Sequence, residues 1–410
     1  MNAYAAVILA ILIGEFALEC AADALNVRAL GRPVPAELAA LYDGDRLHRV
    51  RAYTRARTRF GLVVRTLDLA VLLAFWAAGG FAVLDRWTRG LALGPLATGL
   101  AFIGVLALAR ALLGLPLRWW STFVVEERFG FNRTTPATFW ADTAKGAALA
   151  VALGTPLVAA LLWFFLHAGA HAWPWAWLAT TLFALAVQLV APTWILPLFN
   201  RFTPLDDGPL RDAIVAYAGS VGFPLEGVFV IDGSRRSTKA NAFFTGFGRR
   251  KRIALFDTLV RLLETDELVG VLAHEIGHYK RRHVVKGTVL GVAQMGAMLA
   301  LLSVFLTAPG LFHAFGVAEP SVHAGLVFFA LLATPLNLVL SLAGHVLSRR
   351  WEREADAFAL RTTGAGTRLA TALEKLAAET LANPTPHPLH VFLHYSHPPV
   401  GERVRALARA

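Results

Sequence analysis

Seven apolar runs mark the chain, at about 4–22, 61–84, 91–115, 146–168, 174–198, 287–310 and 321–346. Each is close to the ~20 residues that a helix needs to cross a bilayer core. Polar residues collect between the runs rather than alternating within them, so the pattern predicts an all-α multispanning membrane protein with seven transmembrane helices. The longest polar interval, 199–286, has a different texture. Gly227–Ile231, Ala242–Thr245 and Ile253–Phe256 read as short strands around glycine-rich turns. Leu268, Val271 and Leu272 then repeat at helical spacing and predict a helix from Asp266 to Lys286, with Thr265–Glu267 supplying a cap and early negative charge. A second helix-like stretch begins at Ser348 as the last run ends. The chain therefore divides into 1–198 (spans one to five), 199–286 (a polar segment with the short strands and the predicted helix), 287–346 (spans six and seven) and a C-terminal segment, 347–410.

Composition agrees with the pattern. Of 410 residues, 56% are hydrophobic and 16% charged, and mean hydropathy is +0.54; a soluble protein carries about a quarter charged residues. The net charge of +11 is spread over the loops after spans one, three, five and seven rather than held in one patch. That distribution excludes a nucleic-acid surface and fits the positive-inside rule, which puts the N-terminus outside and the C-terminus in the cytosol. Cys20 is the only cysteine, so neither disulfides nor thiolate metal clusters are available. Arg65 and Asp68 are spaced to pair within span two, and Arg110 is a third charge inside a span. Such groups face protein or water, not lipid.

The predicted helix contains His274-Glu275-Ile276-Gly277-His278. Residues four apart share a helix face, so two imidazoles reach one metal ion, and Glu275 is placed to take a proton from the attacking water. A catalytic zinc site needs a third protein ligand and an open position. In Trp351-Glu352-Arg353-Glu354-Ala355-Asp356, Glu352 and Asp356 share a face. Glu352 is the natural ligand, with Glu354 the alternative. Asp356 suits the remaining N–H of a ligand histidine.

Those two blocks, together with His394-Tyr395-Ser396-His397-Pro398-Pro399, Glu126–Asn132, Lys239–Phe243 and Arg252–Leu259, resemble the type 1 CAAX prenyl endopeptidases, integral-membrane zinc proteases. The likeness runs in order along nearly the whole chain. It implies seven spans around a chamber, with a small α/β zincin-type element and one Zn2+ at its cytosolic end. It further implies zinc ligation by His274, His278 and Glu352, with Glu275 as general base and Asp356 as outer partner. Asn241 and Ala242 match an edge strand along the substrate, and His397 and Arg403 match substrate contacts near the metal. His283, His387, His390 and His394 are read as bystanders.

The partners expected are the bilayer and a peptide or protein substrate, prenylated in the family resembled. Quality control of membrane proteins is the alternative within proteases. A transporter with an incidental motif would show internal repeats, and none is visible between the halves. A structural zinc site lacks a fourth His or Cys, and Lys280-Arg281-Arg282-His283 after the motif argues against an intramembrane position. The ending Leu407–Ala410 carries no reticulum address, which points to a bacterial-type plasma membrane.

Overall fold

A computed structural model of the chain describes residues 2–245, 251–364 and 366–409. Among the described residues, six helices are long and apolar enough to cross a membrane: Ala3–Ala29, Gly44–Ala77, Pro95–Glu126, Pro136–His167, Ala172–Phe199 and His283–Phe305. A seventh span is bent by 56° between Val322–Leu332 and Thr334–Thr363. Pro335, in the first turn of the second piece, has no N–H for the preceding helix to use, and the helix breaks there. The protein is thus a mostly helical integral membrane protein.

Two predicted boundaries move. The run 61–84 is cut at Gly79, whose φ of 70° ends one helix before Gly80–Gly90 begins. The stretch at Ser348 is not a second helix; it continues the seventh span without interruption to Thr363. Hydropathy ends where the lipid ends, whereas backbone hydrogen bonding carries on into water.

The charges inside spans also differ from the expected pairing. Arg65 bonds Asp23 and lies near Glu19 of the first span, and Asp68 accepts from Arg110 Nη2 of the third at 2.7 Å. Both pairs join separate helices instead of neighbours on one. Each charged group ties two spans together instead of meeting a partner on its own helix face.

The segment after the fifth span forms a four-stranded sheet: β1 (Phe202–Pro204), β2 (Leu225–Ile231), β3 (Ala242–Thr245) and β4 (Lys251–Phe256), in the order β1-β2-β4-β3. β4 runs parallel to β2 and antiparallel to β3. The three-residue β1 gave no signal of its own in the sequence. Val228, Ile253 and Leu255 of the sheet pack on Leu268, Leu272 and Ile276, so the sheet covers one face of the helix Thr265–Lys280. That helix begins at Thr265, one residue earlier than predicted, and its cap is Glu264, which forms a reciprocal capping box with Glu267. It ends at Lys280, not Lys286, because Arg282 turns left-handed (φ 56°) and a new helix starts at His283. A second core lies behind, where Leu38, Tyr42, Tyr53, Phe129 and Phe131 meet Ala273, Ala359, Val404 and Leu407. It gathers loops from both ends of the chain around the back of the motif helix. On the same side, Lys239 Nζ bonds Glu126 Oε2 at 2.8 Å and ties the strand segment to the third span.

Candidate metal centre

The motif helix and the helix Thr334–Thr363 approach closely because Gly277 has no side chain. A Cβ there would meet the Cα and carbonyl of Ala355 at 3.1 Å. This approach carries Glu352 to the two histidines. His274 Nε2 lies 3.3 Å from Glu352 Oε2, His278 Nε2 lies 3.2 Å from Glu352 Oε1, and the two Nε2 atoms are 3.2 Å apart. Two ligands at 2.0–2.2 Å from a tetrahedral ion stand about 3.3–3.6 Å apart, so these separations are nearly those of one tetrahedral face.

The donor chemistry agrees. Glu352 is buried, and its Oε2 accepts no hydrogen bond. Two imidazole nitrogens and an orphan carboxylate oxygen directed at each other need a positive charge between them. The residues fit a zinc ion.

His274 is held from behind. Its Nδ1 meets Asp356 Oδ1 at 2.8 Å, and Arg403 donates to the same carboxylate through Nε (2.9 Å) and Nη2 (2.6 Å). An Nδ1–H bonded to a carboxylate leaves the Nε2 lone pair free for a metal. Burial disfavours a charge on His274, but the Asp356 carboxylate bonded to its Nδ1 and the Glu352 carboxylate facing its Nε2 outweigh it and push its pKa up to about 9; a proton and a metal compete for Nε2. Burial raises the Glu275 pKa against the pull of the two histidines.

His397 and Arg403, expected near the substrate, approach different oxygens of Glu352. His397 is 59% exposed, with Nε2 3.3 Å from Glu352 Oε1, and Ser396 Oγ at its Nδ1 (2.8 Å) leaves Nε2 facing the site. Burial lowers its pKa, which favours the neutral ring. Arg403 is buried at 8% exposure and is engaged by Asp356, with Glu352 Oε2 3.5 Å away. Ala242 opens β3 and Asn241 precedes it, at the edge of the sheet. Asn241 Oδ1 accepts from the Ala242 N–H at 2.9 Å, and the Asn241 carbonyl accepts from Phe256.

His283, read as a bystander, and Glu354, read as the alternative ligand, form a second contact behind His278. His283 Nδ1 lies 3.1 Å from His278 Nδ1, and His283 Nε2 lies 3.2 Å from Glu354 Oε2. A histidine five positions on is out of phase with a helix face, so periodicity gave no hint; only the turn at Arg282 brings it back.

Comparison with known proteins is consistent along the chain. Residues 23–201 match the family model for the CAAX prenyl protease N-terminal part, described as five membrane helices, and residues 204–410 match peptidase family M48. CAAX prenyl protease 1 homolog of Arabidopsis thaliana is 35% identical over 97% of this chain and 95% of its own length. CAAX prenyl protease 1 of Saccharomyces cerevisiae is 34% identical over 89% and 86%. The human homolog is 33% identical over 91% and 88%. The crystal structure of S. mikatae Ste24p superposes with a TM-score of 0.94 at 32% identity, over 99% of both chains. A chain matched end to end in this way belongs to peptidase family M48, and is a membrane-embedded metalloprotease of the CAAX prenyl protease type.

Proposed function

We propose that the protein is a zinc endopeptidase that cleaves the C-terminal peptide of prenylated proteins at the cytosolic face of its membrane. The observation that carries this is the convergence of His274, His278 and Glu352 at 3.2–3.3 Å around one point. These three would hold one zinc ion, which when bound supplies the Lewis acidity that polarises the scissile carbonyl and activates water. Glu275 takes the proton of the attacking water and passes it to the leaving amine; its raised pKa suits both steps. His397 Nε2–H, at the exposed side, donates to the oxygen that gains negative charge. Arg403 acts through Asp356, which fixes the His274 ring; its charge reaches the reacting oxygen only at a distance. Asn241 and Ala242 open the edge strand β3, along which an extended peptide adds by main-chain hydrogen bonds. The polar pairs Arg65–Asp23 and Arg110–Asp68 between spans support a chamber among the helices in which a lipid tail lies while the peptide reaches the metal. The arginine-rich loops support a cytosolic site.

The test is cleavage of a farnesylated peptide against its unprenylated twin by purified protein, with and without a chelator. Preference for the farnesylated peptide, loss of cleavage on chelation and its return with zinc are expected. Equal cleavage of both peptides and of casein would support the quality-control alternative instead, and activity indifferent to chelation would remove the zinc reading.

A further inference from the structure

His278 binds through Nε2 in the proposed site, so its ring proton must sit on Nδ1. The only way for two Nδ1 atoms 3.1 Å apart to share that proton is for His283 Nδ1 to accept it. His283 then carries its own proton on Nε2 and donates it to Glu354 Oε2 at 3.2 Å. Glu354 in turn accepts from Arg350 Nε at 3.2 Å through its other oxygen. Every donor direction in this chain follows from the first, and no tautomer is left free.

The fold commits several features to this contact. His283 is 3% exposed. Trp351, the residue before ligand Glu352, stacks on its ring at 5.1 Å with planes 10° apart. The turn that delivers it places Arg282 at φ 56°, a left-handed conformation that a non-glycine residue adopts only at a cost.

We propose that His283 is a positioning residue for zinc ligand His278, and that Glu354 completes the relay. The inference rests on the zinc protease reading above. The two imidazole ligands are thereby supported differently. His274 leans on a buried carboxylate held by Arg403, whereas His278 leans on a neutral imidazole whose carboxylate is 30% exposed. The relay joins the motif helix, the first residue of the sixth span and the ligand helix Thr334–Thr363, so a shift between the last two is felt at the metal.

The experiment uses the full-length protein and the variants H283F, H283N and E354Q. Zinc affinity is measured by competition with a chromogenic chelator, and ligand geometry by the visible spectrum of the Co2+-substituted protein. H283F, which keeps an aromatic ring but offers no acceptor, is expected to lose about ten- to a hundredfold in zinc affinity and to shift the cobalt bands. H283N, whose Oδ1 stands where Nδ1 was, is expected to regain most of that loss, which a merely structural role would not predict. E354Q is expected to lose about threefold, as the weaker outer link. H283F and E354Q with wild-type zinc affinity and cobalt spectra would overturn the proposal. Should H283F fail to fold, the partly exposed E354Q decides alone. A wild-type protein that binds zinc no better than H274A fails the zinc reading itself, an outcome separate from the relay.

Discussion

Glu275 and Glu352 stand near the same two imidazoles and differ in surroundings. Glu352 is almost fully buried, with both oxygens turned to ring nitrogens. Glu275 has its pKa raised by burial and faces no cation closely enough to cancel that. A carboxylate that gains a proton readily and releases it readily is what a base for water requires. Glu275→Gln is therefore expected to retain one zinc per chain, counted by atomic absorption, while kcat falls about 10²- to 10⁴-fold. His274→Ala removes a ligand and is expected to lose both metal and turnover. Near-normal kcat in the Glu275→Gln enzyme would refute the base assignment.

Between elements, the decisive contact is the crossing of the motif helix over the ligand helix at Gly277. A Cβ would lie 3.1 Å from two backbone atoms of Ala355, which cannot rotate away, so Gly277→Ala must push the helices apart by a few tenths of an ångström. Overpacking of this kind costs about 1–3 kcal/mol. The displaced Glu352 is expected to weaken zinc binding about tenfold, the effect of one poorly placed carboxylate. Chelator competition together with a thermal melt separates the two losses. The core behind the motif helix offers a second check through Tyr42, whose hydroxyl donates to the Ala382 carbonyl at 2.9 Å. Burial pushes its pKa from 10 up to about 12. The fold thus holds the neutral phenol: this contribution is complete below pH 10 and is lost as pH rises through about 12. The span corresponds to about 3 kcal/mol. Alkaline unfolding of Tyr42→Phe followed by circular dichroism is expected to lack that step.

Across the whole molecule, a water-requiring reaction must be reconciled with a bilayer. The seventh span does this by continuing as one helix from Thr334 to Thr363, so that the helix leaving the apolar run carries Glu352 to His274 and His278. The orientation has a direct check, because Cys20 is the only native thiol. In a Cys20→Ser background, a cysteine at Arg281 is expected to react with an impermeant maleimide only from the cytosolic side, and one at Glu319 only from the other. Reaction of both from the same side would overturn the topology.

The number of spans, the His-Glu-x-x-His turn and the acidic stretch at 352–356 were legible in the sequence because each is a local pattern. A bilayer demands a fixed length of apolar helix, and one helix face repeats every three to four residues. Other features were not local. Arg65 chose Asp23 over Asp68, the seventh span bent at Ala333, and Arg403 turned inward to Asp356. His283 returned to His278 through a left-handed arginine. Spacing along a chain says which side chains share a face of one element. Which faces of different elements touch depends on how glycines, prolines and core side chains let those elements pack, and that sum is completed only in three dimensions.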